Sequence, residues 1–117
     1  MGQWYSRPVL FVADVQRAVD FYVGQLGFSE KWRFADEVAQ VDRDDCEIIV
    51  SSQRPAKTGM GMLFIELTAA DWKALPDVFA ANDVAFTRGH WGYPVLIVDD
   101  PDGNQLFFPD PEDPGPR

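Results

Sequence analysis

The chain contains an internal repeat with an offset of about 55 residues, and this repeat restricts the folds that it can adopt. Each copy begins with an apolar strand pattern, continues with a helical pattern and closes with apolar runs joined by tight turns. The pattern predicts a first module at about residues 8–53, a linker at about 54–61 and a second module at about 62–108. Because neither module can bury a sheet face alone, we expect one α+β domain of two βαβββ modules that pair their sheets around a cleft.

Each module is predicted to contain one helix on its outer face. Asp14 is a suitable N-cap for the first helix, and Gly27 suits its C-terminal stop. Thr68 suits the N-cap of the second helix, which ends near Ala81. Pro76 interrupts this second pattern, so the helix either bends there or effectively begins there. The sequence leaves both arrangements open.

Two segments are predicted to lie outside regular structure. Asp-Asp-Pro-Asp-Gly-Asn at residues 99–104 separates two apolar strand patterns and predicts a tight turn, in which Gly103 can adopt a positive φ. Residues 109–117 are rich in proline and acidic side chains, which predicts a disordered tail.

The composition limits the partners and the compartment. The formal net charge of −9 argues against nucleic acid or an anionic membrane as a partner. It is compatible with a cationic ligand, but charge alone favours a surface that is acidic for solubility. Met1 is not followed by a charged and then apolar signal segment, which predicts a cytoplasmic protein. The single cysteine, Cys46, lies in a predicted strand and is expected to be a buried, inert thiol.

Four short segments are distinctive: Pro-Val-Leu-Phe-Val-Ala-Asp at 8–14, Phe-Tyr at 21–22, Leu-Gly-Phe at 26–28 and Asp-Pro-Asp-Gly-Asn at 100–104. Taken in order, they resemble the vicinal oxygen chelate superfamily, which contains glyoxalases, bleomycin-resistance proteins and extradiol dioxygenases. The resemblance runs from about residue 8 to residue 108 and implies the glyoxalase/bleomycin resistance protein fold.

Enzymes of this superfamily typically hold a divalent metal with four His, Gln or Glu side chains, one from each of four strands. The matching positions here fall at Arg7 or Pro8, near Ile49, near Met62 and at Phe107. None of these side chains offers the imidazole or carboxylate donors that such a cation needs. The resemblance therefore implies no metal, no other cofactor and no catalytic residues in this chain.

An enzyme with a degenerate or displaced metal site remains an alternative. Register slips could bring Glu47, Glu66 or Gln53 into the family's ligand positions, although a full set needs several independent slips. Such an enzyme would be glyoxalase- or dioxygenase-like.

The metal-free members of the superfamily are proteins that sequester antibiotics, and the chain looks most like the bleomycin-resistance proteins. Pro-Val-Leu at residues 8–10 and Trp-Gly at 91–92 match elements common in that group. The resemblance implies an acidic homodimer that exchanges its N-terminal strands, with two ligand grooves at the interface. Pro8 matches the proline that serves as the hinge of this exchange.

Aromatic side chains in the first module suit a planar ligand. Trp32 and Phe34 lie two residues apart in a predicted strand, so their side chains point to the same face. Two aromatic rings on one face can hold a planar heteroaromatic ring, although both could instead pack in the core. Asp36, next to this pair, could attract a cation or could be an ordinary solvated turn residue.

The second module supplies another candidate group. Trp91 and Tyr93 lie in a glycine-bearing loop, where core packing explains an aromatic side chain less easily. His90, in the same predicted loop, could contact the edge of a ligand or be an ordinary exposed residue. Trp72 is predicted to be a core residue and Trp4 to contribute to a dimer contact.

The sequence hypothesis is therefore metal-independent sequestration of a bleomycin-like or other planar cationic antibiotic in a groove at the dimer interface, which confers resistance. The alternatives are the enzyme described above and a binding module for an unrelated planar metabolite.

Overall fold

The computed structural model describes residues 2–113, and in this part of the chain two βαβββ modules follow one another. This arrangement confirms the predicted α+β fold and its internal repeat. A short 3₁₀ turn at Pro55–Lys57 lies between the modules. The first module consists of β1 (Val9–Phe11), α1 (Val15–Gly24), β2 (Ser29–Phe34), β3 (Val38–Arg43) and β4 (Cys46–Ser51). The second consists of β5 (Met62–Phe64), α2 (Ala69–Ala81), β6 (Thr87–His90), β7 (Pro94–Asp99) and β8 (Gln105–Pro109).

Each module forms a four-stranded mixed sheet with the same strand order. The orders are β1-β4-β3-β2 and β5-β8-β7-β6. The first strand of each module runs parallel to the last, with Val9 opposite Ile49 in one sheet and Phe64 opposite Phe107 in the other. The remaining pairs are antiparallel.

Helix α1 begins and ends close to the predicted positions. The Asp14 side chain accepts a hydrogen bond from the backbone N–H of Arg17 at 3.1 Å, which confirms Asp14 as the N-cap. The helix ends at Gly24, and Gly27 adopts a φ of 77°, as expected for the residue that reverses the chain.

Helix α2 is continuous through its internal proline. Thr68 caps it by accepting from the backbone N–H of Asp71, and the helix ends at Ala81, as predicted. Pro76 lies inside this one helix, so the helix does not begin there.

The core lies between the helices and the sheets. Helix α1 buries five side chains, whereas Phe79 is the one fully buried residue among the 13 of α2. Trp72 is half-buried against the core and donates from Nε1 to the Phe108 carbonyl at 2.8 Å, in agreement with its predicted core position. Cys46 is also half-buried, and burial, followed by the nearby Asp42 charge, raises the pKa of its thiol.

The chain stays attached to the second module beyond residue 108, where the sequence predicts a tail from residue 109. Pro109 is the last residue of β8 and is buried, and the Asp110 N–H donates to the Pro94 carbonyl at 2.9 Å. Glu112 pairs with Lys73 of α2 at 2.8 Å. The tail prediction is therefore wrong for Pro109, because strand pairing extends through this residue. Residues 114–117 lie outside the described part.

Neither helix within residues 2–113 combines the length and the apolar character that a membrane span requires.

Candidate ligand-binding faces

The sheet of the first module has one face against α1 and a second face turned away from it. In β3, Ala39 and Val41 pack in the core, so the alternate residues Gln40 and Asp42 point to the opposite side. Trp32 lies opposite Gln40, and Gln40 lies opposite Ile49 on the next strand. We call this outer surface the first face; it comprises Val9, Trp32, Phe34, Gln40, Asp42, Glu47 and Ile49.

Trp32 and Phe34 are on this first face and are not in the core. Their exposed fractions are 37% and 62%. A β-bulge lies between Glu30 and Trp32, and the Trp32 Nε1 donates to Gln40 Oε1 at 2.9 Å. The indole is thus held at its edge, whereas much of its ring surface stays accessible.

Carboxylates beside Trp32 are already paired. Gln40 Nε2 donates to Asp42 Oδ1 and to Glu47 Oε1, both at 2.8 Å. Lys31 Nζ lies 3.6 Å from Asp42 Oδ2 and 3.7 Å from Glu47 Oε1. Lys31 therefore offsets one of the two carboxylate charges, and the neutral Gln40 amide holds both groups in place without changing their charge.

The N-terminal arm, defined as residues 2–7, lies at this end of the first face. The Tyr5 hydroxyl donates to Glu47 Oε2, and Arg7 Nη1 donates to Gln40 Oε1 at 2.6 Å. Trp4 is fully exposed in the single chain. The arm thus contacts the first face through polar groups and leaves its largest apolar side chain without cover.

Asp36 lies in the turn between β2 and β3, apart from this polar group. Its side chain is mostly exposed, and its Oδ1 is 3.6 Å from Arg33 Nη1. An exposed ion pair of this kind contributes little, typically about 0–1 kcal/mol. Asp36 is therefore placed to influence the approach of a cation more than to hold it.

The corresponding surface of the second module carries a cluster of three aromatic rings. Phe64 and Phe107 stack with centroids 5.1 Å apart and an interplanar angle of 11°. Trp91 meets both rings edge to face at 5.3 Å. Trp91 is 52% exposed, whereas Phe107 is buried. We call this cluster of Phe64, Trp91 and Phe107 the second face.

The other two predicted residues of this module flank Trp91. His90 is the last residue of β6, opposite Pro94, and not part of a loop as predicted. The strand extends this far because the turn closes later, where the Trp91 N–H donates to the Tyr93 carbonyl at 2.9 Å. His90 is exposed and Tyr93 is half-buried.

The predicted residues form two separate groups in one chain. Trp32 and Phe34 are together on the first face, and His90, Trp91 and Tyr93 are together at the β6–β7 turn. Across residues 2–113, no ring contact or hydrogen bond between side chains joins the first group to the second. A site that uses both groups must therefore bring the faces together by assembly or through the ligand.

Comparison with known proteins identifies the family. Residues 4–108 match the family described as the glyoxalase/bleomycin resistance protein/dioxygenase superfamily, which covers most of the chain. The chain belongs to this superfamily. This confirms the resemblance noted in the sequence. A comparison with curated proteins gave no match.

Solved structures of the superfamily include proteins that bind antibiotics. The bleomycin-binding protein of Streptomyces verticillus, solved with copper(II)-bleomycin, is 28% identical; the match covers 96% of this chain and 100% of that one, with a TM-score of 0.78. TnmS3, an antibiotic-binding protein from Streptomyces sp. CB03234, is 21% identical over 93% and 97% of the two chains, with a TM-score of 0.72. Lactoylglutathione lyase from Agrobacterium tumefaciens is 14% identical over 92% and 93%, with a TM-score of 0.69. At 21% and 14% identity, the last two show the shared fold alone.

The metal ligands typical of superfamily enzymes do not fit the side chains of this member. The positions expected from the resemblance were Arg7 or Pro8, Ile49, Met62 and Phe107. The paired strands place Val9 beside Ile49 and Phe64 beside Phe107, and none of the side chains at either set of positions offers an imidazole or a carboxylate to a divalent cation. In the described residues, no group of three or more His, Cys, Asp and Glu side chains could hold a metal. A register slip could place Glu47 at a ligand position, but both of its carboxylate oxygens already accept hydrogen bonds, one from the Tyr5 hydroxyl and one from the Gln40 amide.

A cavity of about 860 Å³ lies on the helix side of this superfamily member, between the modules. Helix α2, whose Leu75 and Phe79 are among the lining residues, buries Phe79 alone completely. The arm residue Ser6 and the adjoining Pro8 border the cavity. Its apolar lining includes Leu26, Phe28, Leu63, Ile65, Leu75 and Phe108.

Sequence reasoning missed Gln40, Phe64 and Phe107. The two phenylalanines are on the second face because β5 and β8 pair in a parallel register that brings residues 64 and 107 opposite each other. Period-two alternation in β8 was the available signal: Leu106 and Phe108 join the core, so Phe107 points away from it.

Proposed function

We propose that this superfamily member binds and sequesters a planar antibiotic of the bleomycin type, without a metal of its own. The observation that carries the proposal is the pair of accessible indoles, Trp32 on the first face and Trp91 on the second. A planar ring system can stack on such surfaces, with about 0.5–1.5 kcal/mol per aromatic contact beyond the effect of area burial. Capture needs affinity alone, so the proposal requires no reacting group.

The second face is suited to this role because its exposed ring is supported from below. Phe64 and Phe107 contact Trp91 and restrict its movement. A ring already held in place loses little conformational freedom when a ligand binds, which favours affinity. His90 and Tyr93 flank this platform and are proposed to contact the ligand's edge.

The groove is proposed to form between two copies of the chain, one supplying the first face and the other the second. Exchange of the N-terminal arms, with Pro8 as the hinge, would hold this homodimer together. Three observations support the exchange: Trp4 is uncovered in the single chain, a cavity is bordered by Ser6 and Pro8, and the aromatic faces are exposed. Exposed aromatic side chains that lie together on one surface are typical of interaction sites.

The similarity to the bleomycin-binding protein of Streptomyces verticillus supports bleomycin as the ligand to test first. The charge of −9 supports faster encounter with a cationic drug. Competition with the drug's target suggests sub-micromolar affinity, equivalent to about −8 kcal/mol or stronger. A cytoplasmic location stays a prediction.

Isothermal titration of the purified protein with metal-free bleomycin tests the proposal. We expect saturation at one drug molecule per chain, with weaker binding by Trp32→Ala and Trp91→Ala. Val23→Ala, which shortens an exposed apolar side chain on α1, serves as the control and should bind as the parent does. No binding up to about 1 mM, weaker than roughly −4 kcal/mol, would exclude bleomycin as the ligand.

A further inference from the structure

We propose that Gln40 is a positioning residue that sets the orientation of the Trp32 indole and links it to the N-terminal arm. The link between this orientation and drug affinity rests on the proposed function, whereas the hydrogen bonding itself can be tested without a drug.

Gln40 is held by four hydrogen bonds in a buried position on the first face. Its exposed fraction is 1%. Its Oε1 accepts from Trp32 Nε1 at 2.9 Å and from Arg7 Nη1 at 2.6 Å. Its Nε2 donates to Asp42 Oδ1 and Glu47 Oε1, both at 2.8 Å. These four bonds use both acceptor positions and both donors of the amide.

The surroundings of Gln40 permit one orientation of its amide. Two carboxylates face Nε2, and two N–H donors face Oε1. A flipped amide would place its NH₂ group against Arg7 and Trp32 and its oxygen against Asp42 and Glu47, which loses all four bonds. The acceptor for the Trp32 N–H is therefore fixed in space.

A fixed acceptor at one edge restrains the Trp32 indole and leaves its faces available. The Trp32 side chain is partly exposed on a strand that carries a β-bulge, so backbone packing alone restrains it weakly. The bond to Gln40 selects one ring orientation before a ligand arrives. Such preorganisation reduces the conformational entropy lost on binding.

The same amide connects Trp32 to the arm. Arg7 donates to the oxygen that Trp32 uses, and Tyr5 donates to Glu47, which accepts from the Gln40 amide. Arg7 and Tyr5 both precede Pro8, the proposed hinge. A change in the position of the arm therefore changes the hydrogen bonding at Gln40 and, through it, at the indole.

Indole N–H resonances in ¹H–¹⁵N NMR spectra test this connection directly. Gln40→Met should move the Trp32 resonance toward that of a non-bonded indole. The Trp72 resonance should stay in place, because its Nε1 donates to the Phe108 carbonyl at 2.8 Å in the second module.

Variants of the arm test the link to Arg7. Arg7→Met should shift the Trp32 resonance, whereas Arg54→Met, at an exposed arginine of the linker, should not. In the Gln40→Met background, Arg7→Met should have no further effect on Trp32, because the shared acceptor is gone. If Gln40→Met does not fold, the comparison of Arg7→Met with Arg54→Met still decides the outcome.

A Trp32 resonance that is unchanged by Gln40→Met or by Arg7→Met, in protein with an unchanged Trp72 resonance, would overturn the inference.

Where the parent binds metal-free bleomycin, Gln40→Met should weaken binding by about 3- to 10-fold, as expected for a side chain that must be ordered on binding. Equal affinity of Gln40→Met and the parent would overturn the role of Gln40 in binding. If the parent does not bind, bleomycin is excluded as the ligand. The NMR measurements then decide whether Gln40 positions the Trp32 indole.

Discussion

The side-chain Nδ2 of Asn104, at the end of the turn in the second module, donates to the carbonyl oxygen of Phe11 in β1, 3.0 Å away. Asn104 is completely buried. Its Nδ2 also donates to Asp100 Oδ2 at 2.9 Å, and its Oδ1 accepts from the Gly61 N–H at 2.8 Å. One amide thus joins the first module, the linker and the second module, so the turn at residues 99–104 holds the modules together.

Asn104→Ala is predicted to lower the free energy of unfolding by about 2–4 kcal/mol. The half-buried N–H of Gly61 loses its partner, Asp100 Oδ2 loses one hydrogen bond, and the Phe11 carbonyl keeps only the bond from the Gly59 N–H. Urea denaturation followed by circular dichroism measures the loss. Asn82→Ala is the matched control at the exposed C-terminus of α2 and should cost about 1 kcal/mol or less. Equal losses in the two variants would contradict the linking role of Asn104.

Tyr22 is predicted to make stability depend on pH under alkaline conditions. Burial, followed by the charge of Asp100 and the hydrogen bond to it at 3.1 Å, raises the pKa of this phenol far above its ordinary value near 10. The unfolded chain therefore loses the Tyr22 proton above about pH 10, whereas the folded chain keeps it. Stability should fall as the pH rises through this range, by about 1.4 kcal/mol per pH unit from this group.

Tyr22→Phe removes that contribution, so its unfolding free energy should decline less steeply than the parent's between about pH 10 and 11. Below about pH 9 the variant should be less stable by about 1 kcal/mol, because the hydrogen bond to Asp100 is absent. Urea unfolding at each pH provides both comparisons. Tyr93→Phe serves as the matched control, and parallel pH profiles for the parent and Tyr22→Phe would refute the prediction.

The features predicted correctly from sequence are those set by nearby residues. Asp14 and Thr68 cap their helices through backbone groups three residues away. Trp32 and Phe34 share a face because side chains alternate along a strand. Local patterns of this kind do not depend on which strands pair.

The features that were missed depend on the pairing of distant strands. Phe64 joins Phe107 across 43 positions of sequence, and Trp91 reaches them only when the β6–β7 hairpin is in place. Gln40 acquires its role from Trp32 and from Arg7, which is 33 residues away. A single glutamine in a strand pattern carries no sign of such a network. The same limit applies to Pro109, whose place in β8 follows from pairing with Val95.

Phe64→Leu is predicted to weaken drug binding while the fold is retained. Phe64 is half-buried and contacts the Trp91 ring, so its replacement removes one support from the second face. The expected loss is about 3- to 10-fold in affinity, equivalent to one aromatic contact of about 0.5–1.5 kcal/mol. Phe86→Leu is the matched control, because Phe86 contacts Phe79 on the helix side. Calorimetry that gave the same affinity for both variants would argue against a supporting role for Phe64.

Removal of the arm is predicted to weaken a homodimer. Deletion of residues 2–7 removes the exposed Trp4, and a buried tryptophan at an interface is typically worth more than about 1–2 kcal/mol. The dissociation constant from sedimentation equilibrium should therefore rise by roughly tenfold or more. Pro8→Ala should shift it in the same direction, whereas Pro111→Ala, at an exposed proline, should not. A parent protein that is fully monomeric at micromolar concentration would rule out both the exchange and the groove between subunits.

Association with a cationic drug is predicted to slow as salt is added, because the attraction comes from the whole chain's charge of −9 and not from a local ion pair. Lys31 offsets one of the two carboxylate charges nearest Trp32, and Gln40 holds both carboxylates, so the dissociation rate should change less than the association rate. Stopped-flow measurement of tryptophan fluorescence should give an association rate that falls on the order of tenfold between low and physiological ionic strength.

A charge-reduced variant separates the long-range field from the binding faces. The exposed carboxylates at positions 37, 45 and 77 can be converted to amides together, as Glu37→Gln, Asp45→Asn and Asp77→Asn. This variant should associate more slowly at low salt and approach the parent's rate at high salt, where screening removes the field beyond about 10 Å. Its dissociation rate should equal that of the parent, since no residue of either face has changed. Association that does not respond to salt would mean that the acidic composition serves solubility and plays no part in drug capture.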